Sequence, residues 1–131
     1  MGNVDNAGLY IAAYATLGNL TKNSTATSLA QRTAITSMTT STWNNPQGII
    51  FEGTGNVTAS EDGIGFKAIL IRYLHTAYQF FDEDVQDAIR QYIDIQYCAL
   101  VNDDSNDPEM PVEYGRNWTG VYEVATGQTQ V

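Results

Sequence analysis

Between Asp62 and Phe81, in DGIGFKAILIRYLHTAYQFF, the apolar and polar positions recur with the period of an α-helix. At about 100° per residue, Phe66, Ile69, Leu70, Tyr73, Leu74, Ala77, Phe80 and Phe81 fall on one broad arc, which Ile71 and Tyr78 extend. Arg72, His75, Thr76 and Gln79 share the narrow polar face. A helix apolar over more than half its circumference is covered by neighbours on several sides. Glu61 and Asp62 stand at its expected start, where carboxylates cap free N–H groups and complement the positive helix end. Lys67 breaks the pattern, because it projects into the apolar arc from the first turn. A cation there opposes the helix dipole and must either snorkel to water or face a polar pocket.

Three further helices are expected around this one. Asp5 or Asn6 caps the first, Ala7 to Leu17, with Leu9, Ala12, Ala13 and Leu17 on one side and Ile11 and Ala15 on another. Gly18 has the position of a terminating C′ glycine. The second runs from Ser24 to about Thr42 with Ala26, Leu29, Ala30, Ala34, Ile35 and Met38 on its apolar side. Its many Ser and Thr residues give it weak intrinsic propensity, so packing has to hold it. The last starts at Asp82-Glu83-Asp84, acids suited to a helix N-terminus, and ends near Leu100. Val85, Ala88, Ile89, Tyr92, Ile93, Ala99 and Leu100 form its core-facing side.

The connections alternate between short and long. Short turns lie at Gly18–Asn23 and around Asp82; long loops lie at Trp43–Glu61 and Val101–Thr126. In the first long loop, Ile49-Ile50-Phe51 between Gly48 and Gly53 resembles half of a small hairpin. Antiparallel neighbours reverse direction at each connection, so both long loops emerge at one rim. The expected fold is all-α, a stack of antiparallel helical hairpins in the manner of an α-solenoid or α/α toroid. Function is expected on the long-loop rim, which carries Asn6, Glu52, the Lys67 end of the central helix and Trp118.

Composition narrows the function. With 131 residues the chain is one domain at most. Six basic against 15 acidic residues, a net charge of −9, argues against nucleic acid or an anionic membrane as partner. No apolar run reaches the roughly 18 residues of a membrane span, and no basic and apolar leader pattern opens the chain. Met1-Gly2 lacks the Ser or Thr that myristoylation wants, since Asn6 stands there. A lone Cys98 excludes an internal disulfide and is expected as a small core residue; His75 is expected in an outer, solvated layer. One His and one Cys do not make a zinc site, and neither a metal nor a cofactor is expected.

The order of VDNAG before a helix, WNNPQGIIFEG, DGIGFKAILIRYL and YGRNWTG resembles the C-terminal part of glycoside hydrolase family 76, the endo-α-1,6-mannanase-like proteins. Asn6 and Gly8 match the family's first segment, while Asp5 occupies its tyrosine place. The glycine-hydrophobic-Glu loop corresponds to Gly48 to Glu52, the Phe-Lys-Gly/Ala then Arg pattern to Phe66-Lys67-Ala68 and Arg72, and the Trp-x-Gly loop to Trp118-Thr119-Gly120. The resemblance implies an (α/α)6 toroid, of which this chain holds about four helices. It also implies an α-mannan substrate, a secreted or cell-surface protein and a monomer in the full-length form. Residues 1–131 are then expected to be a single C-terminal part of that domain. The expected truncated fragment omits the family's final helix and the earlier hairpins with their adjacent aspartate pair. No catalytic residue is therefore assigned. Asn6, Glu52, Lys67 and Trp118 are the candidate substrate-binding residues.

Glycoside hydrolysis requires two carboxylates about 5–5.5 Å apart for retention or 6.5–9.5 Å for inversion. Asp103-Asp104 is adjacent, but it sits in a solvated Asn-Asp-Asp-Ser-Asn-Asp stretch and reads as a polar loop. Glu52 either touches substrate or orders its loop; Trp118 either stacks on a sugar face or covers the core. Lys67 and Arg72 suit a structural role in bonding loops in place. Glycosylation sequons at Asn19, Asn23, Asn56 and Asn117 lie in expected turns and loops and agree with a secreted parent. Two function classes follow: one wall of a glycosidase cleft, and a non-catalytic helical module that binds a glycan or a protein.

Overall fold

In the computed structural model, which describes residues 4–51, 65–103 and 118, the chain forms helices α1 (Val4–Thr21), α2 (Ser24–Thr39), α3 (Phe66–Tyr78) and α4 (Glu83–Asp103). Among the described residues there is no strand; Asn44 and Ile50 form one isolated antiparallel bridge. The all-α expectation therefore holds. Each helix is longer or shorter than its pattern, and the reasons are local.

α1 runs through Gly18 instead of stopping there. Lys22 takes the left-handed turn in its place, at φ 56°, and Asn23 N–H bonds back to Gly18 C=O at 2.9 Å. This 6→1 bond is the Schellman ending, here with a lysine at the C′ position. Gly18 has a different task. A Cβ on it would lie 2.3 Å from Thr27 Oγ1 and 2.8 Å from Thr27 N, so only glycine lets the start of α2 come this close. The Asn19 sequon is consequently helical rather than in a turn.

The buried face of α1 is also a correction. Leu9 and Leu17 are 55% and 48% exposed and Ala13 is exposed, whereas Val4, Gly8, Ile11, Ala12, Ala15 and Gly18 are buried. Leucines hold helices apart; a glycine-alanine stripe lets α1 lie directly on α2 and α3 and gain dispersion contacts along its backbone. At Gly8 an added Cβ would meet Leu70 Cα at 3.1 Å and Tyr73 Cδ2 at 3.2 Å.

α2 answers with its own stripe of Ala26, Ala30, Ala34 and Met38, and the expected core residues Leu29 and Ile35 stay 37% and 38% exposed. Asn23 caps it, accepting from Thr25 N and Ala26 N at 3.0 and 3.3 Å. It ends at Thr39, earlier than its pattern. Trp43 Nε1 and Asn44 Nδ2 then both donate to Ser37 C=O, so side chains take over the free carbonyls of the last turn. The expected hairpin half pairs antiparallel with Trp43–Asn45: Asn45 N donates to Ile49 C=O and Phe51 N to Trp43 C=O, each at 2.9 Å, around the Asn44–Ile50 bridge. Asn45 Oδ1 accepts from Gln47 N and Ile49 N, Gly48 adopts φ 80°, and Ile50 is fully buried.

α3 keeps its expected arc: Leu70, Leu74 and Ala77 are fully buried, and Arg72, His75, Thr76 and Gln79 are exposed. It ends at Tyr78, with Phe81 buried in the turn beyond it. The expected capping residues Glu61 and Asp62 lie outside the described residues. α4 begins with Glu83 and Asp84 in its first turn and buries Ile89, Tyr92, Gln96 and Ala99. Cys98 is exposed, against expectation, because it stands beside Tyr97 on the side of α4 turned from the core. At the short turn, Gln31 Nε2 donates to Asp82 Oδ2 and Gln31 Oε1 accepts from Asp82 N, which ties α2 to the junction of α3 and α4.

The zigzag brings the starts of α1 and α3 together with the ends of α2 and α4. Gly8 meets Leu70 near both starts, and Ile50 N, beyond the end of α2, donates to Gln96 Oε1 in the second half of α4. Trp118 stands against Lys67 in the first turn of α3, and Ile50 joins it in one core cluster. The loop and Trp118 thus share a rim, as expected.

Candidate functional site

At this rim α3 presents Lys67. Its place in the first turn is set by the flanking apolar positions: Leu70 and Leu74, three and seven residues on, are fully buried and turn Lys67 inward with them. A helical side chain leans toward the N-terminus, which here is the rim. Lys67 is 1% exposed, so it does not snorkel. Its Nζ lies 5.1 Å from the centroid of the Trp118 ring. A desolvated cation over an indole face is worth about 2 kcal/mol. That contact joins two segments that lie far apart in the chain.

Trp118 is 5% exposed and part of the core cluster. Its Nε1–H is buried and meets no acceptor among the described residues. Such an orphaned donor costs about 1–3 kcal/mol unless something accepts from it. Asp5, in the first turn of α1, likewise has a buried Oδ1 without a donor among the described residues. Asn6 beside it is exposed. The structure thus brings Lys67 and Trp118 into contact and sets Asn6 on the adjoining helix start. Glu52, Asp104 and the sequons at Asn56 and Asn117 lie outside the described residues, and of Asp103 only its place in the last turn of α4 is described.

A second corner of the rim was not foreseen from the sequence. Tyr92 Oη donates to Asn44 Oδ1 at 2.7 Å; Asn44 Nδ2 donates to Ser37 C=O and Thr40 C=O, each at 2.9 Å. Gln96 Oε1 accepts from Ile50 N and its Nε2 donates to Gly48 C=O, both at 2.8 Å. Burial pushes the Tyr92 hydroxyl well above its ordinary pKa, so it stays a neutral donor. One signal could have found this corner: Gln96 lies four residues after Tyr92 and seven after Ile89, a polar group on a buried face.

The Asn44–Tyr92–Gln96 corner spends its donors within the protein, and the Lys67–Trp118 corner keeps a buried donor without an acceptor among the described residues. His75 and Cys98 are exposed elsewhere on α3 and α4, so neither supplies a nucleophile or base at the Lys67 corner. Among the described residues no group of His, Cys, Asp and Glu side chains is placed to hold a metal ion.

The sequence profile of glycosyl hydrolase family 76 matches residues 5–131. The chain belongs to this family. The match spans both long loops and all four helices, so the rim described above is part of a glycosyl hydrolase domain, and a glycan is its substrate class. Comparison with curated proteins and with solved structures gave no match. Among the described residues no helix is long and apolar enough to cross a membrane.

Proposed function

We propose that this chain forms one wall of the carbohydrate cleft of a secreted, monomeric hydrolase that cleaves α-mannan in the manner of an α-1,6-mannanase. In this reading residues 1–131 are the C-terminal part of an (α/α)6 domain, and the adjacent aspartate pair that performs the chemistry stands outside this wall. The reading is carried by one observation. Lys67, buried to 1% at the family-matching end of α3, is covered by Trp118, whose buried N–H has no acceptor among the described residues. A sugar hydroxyl or ring oxygen at the rim would take that bond, and Asn6 and Glu52 would add contacts from the neighbouring segments. Family membership supports the glycan, and the shared rim supports the wall.

The test is binding of α-1,6-linked mannan oligosaccharides, followed through tryptophan fluorescence. Binding without turnover is expected, weakened about tenfold by Trp118→Phe, which removes a hydrogen bond worth about 1.4 kcal/mol. Hydrolysis by the chain itself would overturn the placement of the chemistry outside this wall. No binding at all would overturn the cleft.

A further inference from the structure

The turn between α1 and α2 stands at the rim opposite Lys67 and Trp118. Every residue from Asn19 to Thr25 is exposed there, Leu20 to 74%. A hairpin tip points along the helix axes, so helices packed beside α1 and α2 leave it open. Two glycosylation sequons share this tip, Asn19-Leu20-Thr21 and Asn23-Ser24-Thr25. Their geometries differ.

A sequon acts through two groups: the amide Nδ2 that takes the sugar, and the hydroxyl two residues on that the transferase reads. Asn19 lies in the last turn of α1, and Thr21 Oγ1 donates to Leu17 C=O at 2.7 Å. That hydroxyl is spent within its own helix. Asn23 instead has extended backbone, at φ −93° and ψ 98°. Its Oδ1 accepts from Thr25 N at 3.0 Å and Ala26 N at 3.3 Å, which aims the amide oxygen at the helix. Neither Asn23 Nδ2 nor Thr25 Oγ1 makes a hydrogen bond among the described residues. The Asn23–Thr25 bond spans only two residues, so the emerging chain can form it before any tertiary packing. Substitution at Nδ2 leaves the amide carbonyl in place, so the cap of α2 survives the modification.

We propose that Asn23 is the N-glycosylated residue of this hairpin and that Asn19 stays bare. The proposal rests on the secretory route in the function proposed above and not on the mannan cleft. The co-reactant is a polyprenyl-diphosphate oligosaccharide of the secretory membrane, used by that membrane's transferase. Nδ2 forms a bond to the anomeric carbon of the first sugar and gives up one proton. The bond from that carbon to the diphosphate oxygen breaks, and polyprenyl diphosphate leaves with the electron pair. The glycan then covers the tip that exposes Leu20 and stands away from the cleft rim.

The test translates the full chain behind a supplied, cleavable secretion leader in the presence of microsomal membranes, and maps the glycopeptides by mass spectrometry. Transfer is read on the entering chain, so the readout does not depend on whether a variant folds. Glycan is expected on the Asn23 peptide and not on Asn19. Asn23→Asp keeps a capping oxygen, removes the acceptor nitrogen and should lose one glycan. Thr25→Ala should lose the same glycan, Thr25→Ser should restore it, and Asn19→Asp should change nothing. A bare Asn23 overturns the proposal and leaves the cleft standing, because the leader is supplied; failure of mannan binding overturns the cleft alone. Glycan on Asn19 in place of Asn23, or an Asn23 glycan that persists in Thr25→Ala, also overturns it.

Discussion

Two corners of the same rim hold loops by opposite means. The Asn44–Tyr92–Gln96 corner is neutral, and its side-chain donors and acceptors find partners within the protein. The Lys67–Trp118 corner buries a cation against an indole whose N–H has no acceptor among the described residues. A satisfied network gains nothing from a visitor; an orphaned donor does. The difference separates scaffold from site on a rim where position alone does not.

The largest expected effect falls on the cation. Lys67→Ala should lose about 2–5 kcal/mol, the range for emptying a buried long side chain. Lys67→Met keeps most of the volume but removes the charge, and with it the ring contact, and should lose about 2 kcal/mol. Urea unfolding of both variants checks this; an equal loss would show that charge, and not packing, secures the corner.

At the neutral corner Tyr92→Phe leaves Asn44 Oδ1 buried without its donor and should cost about 1–3 kcal/mol. It should also change the alkaline limb. Because burial raises the Tyr92 pKa in the folded state, the unfolded chain loses that proton first as pH passes about 10. Stability then falls with rising pH, and the Phe variant should show a shallower fall in unfolding free energy between pH 9 and about 11. An identical slope would remove Tyr92 from the account.

Substituting each tryptophan compares the corners directly. Trp43→Phe breaks the bond to Ser37 C=O, while Trp118→Phe removes an N–H that meets no acceptor among the described residues. Trp43 is half-buried and Trp118 is 5% exposed, so once the larger area lost at Trp118 is allowed for, Trp43→Phe should cost about 1 kcal/mol more in thermal unfolding. Reversal of that order would mean that the Trp118 N–H already has a protein acceptor. The smallest effect is expected at Gly8→Ala. Its Cβ would meet the Leu70 backbone at 3.1 Å and the Tyr73 ring at 3.2 Å, so α3 has to give by a few tenths of an ångström, and the gain in helix propensity of about 1 kcal/mol offsets part of that cost, for a net loss of about 1 kcal/mol.

The rods, their order and the rim are legible in the residues alone. The arc of α3 is so broad that Leu70, Leu74 and Ala77 could face nowhere but inward. The alternation of short and long connections placed the loops on one side, because each antiparallel step reverses the chain. The family motifs also lay open to reading, since they are local runs of residues. Which face of α1 is buried depended on packing. That helix is apolar nearly all round, so periodicity was silent, and close approach chose Gly8, Ala15 and Gly18 over Leu9 and Leu17. Packing also decided the fate of Lys67. A lysine on an apolar arc can reach water or be enclosed, and enclosure followed from Trp118 arriving from a distant segment. The Asn44–Tyr92 bond joins residues 48 apart in the chain, and no local pattern encodes such a partner. Periodicity reports which face of an element is apolar; what meets that face is a property of the assembled chain.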